Sequence, residues 1–154
     1  REWGEARLRD KVGTLIKARL ELVEEKELVR RATTLFALPQ NNLTGLKLIW
    51  ETSDIIWKIV GDTSNDINWY TKRTTLSAVY GAVVLFWLGD NSSESEKTWE
   101  FVDRRLADVM GFEKFKSTLR ANPALKPLND LIRKSVSGIK SPIDHDSPKP
   151  GDFR

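Results

Sequence analysis

Apolar residues recur along this chain at spacings of three and four, the pattern of helices that each bury one face. Leu8, Val12, Leu15, Ile16, Leu22 and Val23 predict a first helix over residues 5–23. The charged run EEKE breaks that pattern and turns the chain into a shorter second helix, residues 28–38. Pro39 stops it, because proline lacks the N–H and clashes with the carbonyl four residues back, and PQNN reads as a loop. Leu43, Leu46, Ile49, Trp50, Ile56, Trp57 and Val60 make a third helix ended at Gly61, where glycine takes the left-handed C-terminal conformation at little steric cost. DTSND leads into a long fourth helix, residues 67–88, closed by GDNSS. Trp99, Val102, Leu106 and Val109 with Met110 stripe a fifth that starts near Glu94. No run alternates polar and apolar, and no Asn-Gly turn joins two such runs, so the fold class is all-α, a helical bundle.

The fourth helix has two unlike faces. Trp69, Arg73, Leu76, Tyr80, Val83 and Trp87 fall on one stripe, while Thr74, Ser77, Ala78, Gly81 and Ala82 form a stripe of small side chains. Small residues let a neighbouring helix approach closely, or they leave room for a ligand. On the ligand reading, Leu76, Ala78, Val83 and Phe86 border an apolar pocket formed with helices three and five. The start of this helix, SNDINWYTKRTTL at residues 64–76, sets Trp69 and Tyr70 side by side with Lys72 and Arg73 just behind. Adjacent helical positions point about 100° apart, so one core-facing stripe does not easily take both rings. The position of Trp69 on the stripe of Tyr80 and Trp87 argues for core. Its place at the helix end, where a stripe runs out of partners, argues for an exposed anchor.

Charge matters here by location. Residues 120–140 carry Arg120, Lys126, Arg133, Lys134 and Lys140 against Asp130, a local +4. The tail from residue 141 carries −1, which leaves residues 1–119 neutral within the formal +3 of the chain. The basic character is therefore local and gives no support to nucleic-acid binding by the body. In the same segment Leu125, Leu128, Ile132, Val136 and Ile139 lie within about 80° of arc, with Arg133, Lys134 and Lys140 off it. That pattern suits a helix lying in a membrane interface, with Leu128, Ile132, Val136, Ile139, Arg133 and Lys134 in contact, or a terminal helix packed on the bundle. Pro127 favours a regular helix that begins at Pro127 itself, and Gly138 weakens its far end. The organisation read from the chain is a bundle over residues 1–118, this amphipathic helix over 119–140 and a Pro-rich, disordered tail over 141–154.

Reactive chemistry is scarce. With no cysteine among 154 residues, disulfides, thiol catalysis and cysteine metal sites are excluded, and a reducing compartment is suited. The single histidine, His145, sits in the tail, so a catalytic triad has nothing to build on. The helical Glu-x-x-His motif of di-iron proteins and a glycine-rich phosphate loop are both absent. NLT and NSS match glycosylation sequons, but no secretory signal accompanies them. No apolar run reaches the ~20 residues that cross a bilayer; the longest is AVVLFWL at residues 82–88. The expectation is a binding module without catalytic residues, metal or cofactor. The opening Arg-Glu-Trp lacks an initiating Met and reads as a fragment.

GDTSNDINWYTKRTTLSAVY, continued by LFWLGDNSSESEKTWEFVDRRLADVM, resembles the accessory-protein family of ubiquinone biosynthesis, and RRATTLFALPQN upstream resembles its bacterial members. The similarity spans residues 8–115, and the core NWYTKR is its distinctive part. The resemblance implies a TetR-like fold, here a ligand-binding-type helical bundle without the N-terminal helix-turn-helix unit. It further implies an isoprenoid quinone or phospholipid ligand, a homodimer, and a C-terminal helix that touches the membrane surface. Such a protein performs no hydroxylation. It presents the lipid intermediate to the di-iron demethoxyubiquinone hydroxylase, through a patch that maps to Asp66, Asn68, Trp69, Tyr70 and Arg73. The implied location is peripheral to the inner membrane, on the cytoplasmic face in a bacterium or the matrix face in a mitochondrion. A TetR-type transcriptional regulator would share the helical domain, but would bind DNA through the missing unit.

Overall fold

The computed structural model describes residues 2–63, 67–127, 130–131 and 134. Every regular element among them is helical: α1 (Glu2–Glu21), α2 (Lys26–Phe36), α3 (Asn42–Ile59), α4 (Ile67–Gly89) and α5 (Glu96–Ala121), with short 3₁₀ turns at Ser93–Ser95 and Pro123–Leu125. The third and fourth helices lie where the periodicity puts them, and the fifth begins two residues later than expected and runs on past its apolar stripe to Ala121. The first two begin and end two to three residues earlier than the apolar pattern does, since helix ends follow backbone hydrogen bonds rather than burial.

α4 is the hub. Leu76, Val79, Tyr80, Val83, Trp87 and Leu88 supply half of the twelve buried apolar side chains among the described residues. α3 packs along one side of it and α5 along the other, while α1 closes the bundle against α5 and α3. Val12, Ile16 and Leu20 of α1 meet Val102 and Leu106 of α5 and Ile56 of α3 in one core cluster. α2 buries no residue. It is held to α4 largely by cations: Lys26 Nζ donates to the carbonyls of Trp87 at 2.9 Å and Asp90 at 3.0 Å, and Arg30 donates to that of Leu88 at 2.7 Å. These carbonyls lie at and just beyond the C-terminus of α4, where positive charge is favoured. Gly45 lets α2 and α3 close on each other, because a Cβ there would stand 2.7 Å from the Cβ of Phe36.

Part of the small-residue face of α4 packs against α3, while Thr74 and Ala78 on it are exposed. Ser77 donates to the buried Ser53 of α3 at 3.1 Å, and Gly81 approaches Ile49. At the other end of the chain, the fifth helix runs through residue 118 to Ala121 before it breaks. Asn122 caps the next turn, its side chain accepting from the Ala124 N–H at 3.0 Å with Pro123 at the first position. That turn is 3₁₀, and helix resumes at Lys126 and Pro127. The Pro127 expectation therefore holds to within one residue.

Candidate functional site

The end of α3 and the start of α4 build one aromatic and ionic cluster. α3 ends at Ile59, and Gly61, just beyond its cap Val60, takes a φ of +84°. The Asp62 N–H returns to the Trp57 carbonyl at 2.9 Å and the Gly61 N–H to that of Lys58 at 3.1 Å, the paired bonds of a left-handed glycine cap. The cap carries Asp62 back over the helix pair, where its carboxylate is buried. There it accepts from Arg73 Nη1 at 2.9 Å and from Lys72 Nζ at 2.6 Å. From α3, Asp54 accepts from Arg73 Nε at 2.6 Å and from Lys58 Nζ at 2.8 Å. Partial burial pushes the Asp54 carboxyl up, but hydrogen bonds from Lys58 and Arg73 and their charges outweigh it and hold it below the ordinary carboxylate value. Trp57 Nε1 donates to the Lys72 carbonyl at 3.0 Å and locks the two helices in register.

Aromatic rings cover this ionic layer. The Arg73 guanidinium lies 4.2 Å from the Trp69 ring centroid. Trp69 meets Tyr70 edge-on at 4.8 Å and Trp50 of α3 at 5.9 Å. Trp50, Asn68, Trp69 and Tyr70 are all half-buried.

Of the five residues assigned to a partner patch, the structure brings Asn68, Trp69 and Tyr70 together at the surface, while Asp66 lies outside the described residues. Arg73 needs correction. It is 1% exposed, and with two carboxylates fixing its N–H groups it stands behind the patch, with no face left for a partner. The sequence reading missed Trp50, Asp54 and Asp62. A signal was available, since an arginine on a core-facing stripe requires a buried counter-ion and these two aspartates flank the preceding helix end.

The four residues assigned to a pocket, Leu76, Ala78, Val83 and Phe86, do not share one face of α4. Leu76 and Val83 are core, and Ala78 is exposed on the opposite side. Phe86 alone borders a cleft, of about 550 Å³, with Leu85, Gly89, Asp90, Asn91, Ser92 and Lys97; its ring stacks on Phe101 at 4.4 Å. A second cleft of about 260 Å³ between α1 and α5 is flanked by the charged Asp10, Lys17 and Asp103. Of the membrane-contact residues only Lys134 is described, and it is exposed; Leu128, Ile132, Arg133, Val136 and Ile139 lie outside the described residues. No described helix is long and apolar enough to cross a membrane. Among the described residues no three His, Cys, Asp or Glu side chains converge as a metal site.

The COQ9 family model matches residues 43–113. The chain is 37% identical over 103 residues to the rat mitochondrial ubiquinone biosynthesis protein COQ9, covering 67% of this chain and 32% of the rat protein. It is 35% identical over 129 residues to the probable mitochondrial ubiquinone biosynthesis protein coq9 of Dictyostelium discoideum, 82% of this chain and 41% of that one. The human mitochondrial COQ9 is 36% identical over 103 residues, 67% of this chain and 31% of its own length. The chain belongs to the COQ9 family. It spans between three and about four tenths of the length of these COQ9 relatives. The matched segment holds nearly all of α3, all of α4 and most of α5. It therefore contains every residue of the aromatic and ionic cluster, and it excludes α1 and α2.

Proposed function

We propose that this chain is part of a non-catalytic accessory protein of ubiquinone biosynthesis, which binds isoprenoid quinone intermediates and presents them to the di-iron demethoxyubiquinone hydroxylase. The observation that carries the reading is the half-exposed, edge-to-face pair of Trp69 and Tyr70, set inside the segment that matches COQ9. Paired, half-exposed aromatics on a rigid mount have the composition and geometry of an interface anchor. The partner surface is Asn68, Trp69 and Tyr70, extended on the α3 side by Trp50. Lipid contact is proposed at Leu85 and Phe86, the apolar side of an otherwise polar, open cleft. The relatives are named as mitochondrial proteins, which supports a mitochondrial setting or its bacterial equivalent. We propose that the protein sits at the inner membrane, peripheral through its basic, amphipathic C-terminal segment, as a homodimer.

The test is a binding titration of the hydroxylase with single variants. Trp69→Ala and Tyr70→Ala should each weaken binding by more than about 1 kcal/mol while the helical circular dichroism stays that of the parent. Unchanged affinity in both folded variants would dismiss the surface as the docking site.

A further inference from the structure

We infer that Arg73 is a positioning residue: gripped by Asp54 and Asp62, it pre-sets the Trp69 ring, and through it Tyr70, in the orientation that a partner meets. The inference rests on the reading of Trp69 and Tyr70 as the partner surface, and it adds three residues that lie beneath that surface.

The geometry is a chain of contacts from buried charge to exposed ring. Two carboxylates from different places, Asp54 inside α3 and Asp62 beyond its glycine cap, take Nε and Nη1 of Arg73 at 2.6 and 2.9 Å. A planar, forked cation held at two of its edges cannot rotate. Nη1 also donates to the Trp69 carbonyl at 3.3 Å, one turn back. The face of the guanidinium is then the platform on which the Trp69 ring lies, 4.2 Å away. Trp50 leans on Trp69 at a 57° tilt and Tyr70 meets it at 78°, so three rings take their orientation from one buried cation.

A cluster made only for stability would be a poor choice. Replacing a buried ion pair by packed apolar groups is often neutral or stabilising, because both charges lose their water. What the ion network supplies, and an apolar contact would not, is a fixed direction for a flat cation. A ring ordered before docking loses less conformational freedom on binding.

The experiment is a double-mutant cycle read in two channels. Asp62→Asn keeps the shape of the site but removes the charge that grips Nη1. It should weaken hydroxylase binding roughly two- to tenfold, the size of ordering one or two large side chains, and it should alter the near-ultraviolet circular dichroism of the coupled tryptophans. The same substitution in a Trp69→Ala background should leave binding where Trp69→Ala alone puts it, while still lowering the melting temperature. A merely structural Asp62 would lower melting temperature without that coupling in affinity. If Asp62→Asn binds like the parent, or weakens binding equally with and without Trp69, the positioning role is overturned and the partner surface stands. If Trp69→Ala itself binds like the parent, the partner surface falls and the inference falls with it. Should Asp62→Asn not fold, Arg73→Lys takes its place in the cycle, since it keeps the charge and loses the planar fork. Loss of binding that disappears without Trp69 is again the supporting result.

Discussion

At the C-terminal end of α4, Lys26 stands 4.8 Å from the ring centroid of Trp87; at the N-terminal end, Arg73 stands 4.2 Å from that of Trp69. The pairings are alike and their settings are opposite. Trp87 is buried in the bundle, and Lys26 reaches over it to cap the carbonyls where α4 ends. Around Trp69 the cation is the buried partner and the ring is half-exposed. One arrangement closes a helix end, and the other holds a ring up to solvent. A tryptophan beside a cation therefore has no fixed role: the side of the ring on which the cation lies decides whether the ring is core or surface.

The comparison breaks first at the tryptophans themselves. Trp87→Ala empties a core position and should cost about 3 to 5 kcal/mol in denaturant unfolding. Trp69→Ala gives up a cation contact and two ring contacts at the surface, and should cost about 1 to 2 kcal/mol. If the two variants lose equal stability, Trp69 is as much a core residue as Trp87 and the contrast fails.

The cations come next. Lys26→Met keeps the apolar stem over Trp87 and removes the cap on two carbonyls, so about 1 to 2 kcal/mol should be lost. Since α2 buries no residue, the loss should appear as early exchange of the α2 amides. Hydrogen exchange that stays uniform across α1 and α2 would show that α2 is held by something other than these cations.

The stripe on α4 was legible in the sequence because spacing at 100° per residue is a local property. Leu76, Tyr80, Val83 and Trp87 are buried as that spacing predicts. Periodicity also separates the small-residue face, but it cannot say which neighbour covers each part of it. Ser77 bonds to Ser53 of α3, whereas Ala78, one residue on, is exposed. The ionic layer was hidden for a different reason. Asp62 reaches Arg73 only because Gly61 takes a positive φ and returns the chain over α3. The pattern signals that Arg73 needs a buried counter-ion, but which carboxylates supply it follows from the path of a turn and from two helices meeting. The resemblance marked Arg73 as important and could not say that it faces inward.

The smallest expected effect lies in acid. Asp54, at the Trp69 end, and Asp90, at the Trp87 end, both have carboxyls held below the ordinary value of 3.8. For Asp90 the main cause is the Thr98 hydroxyl, donating at 2.6 Å, joined by Ser92 and the Thr98 N–H. For Asp54, burial works against Lys58 and Arg73 and leaves a smaller depression. A carboxyl depressed in the folded state stabilises the protein above its unfolded value, and that stability is lost as pH falls through the folded one. Both contributions should therefore be complete at neutral pH and should begin to fail below about pH 4. Asp90→Asn and Asp54→Asn suffer their losses at neutral pH already, so each should flatten the acid decline of the melting temperature, Asp90→Asn by more. The measurement is melting temperature from pH 6 down to about pH 2 for the parent and both variants. A decline in Asp54→Asn that is shallower than in Asp90→Asn would reverse the order. It would place the stronger carboxylate grip at the Trp69 end of α4, under the ring that a partner is proposed to meet.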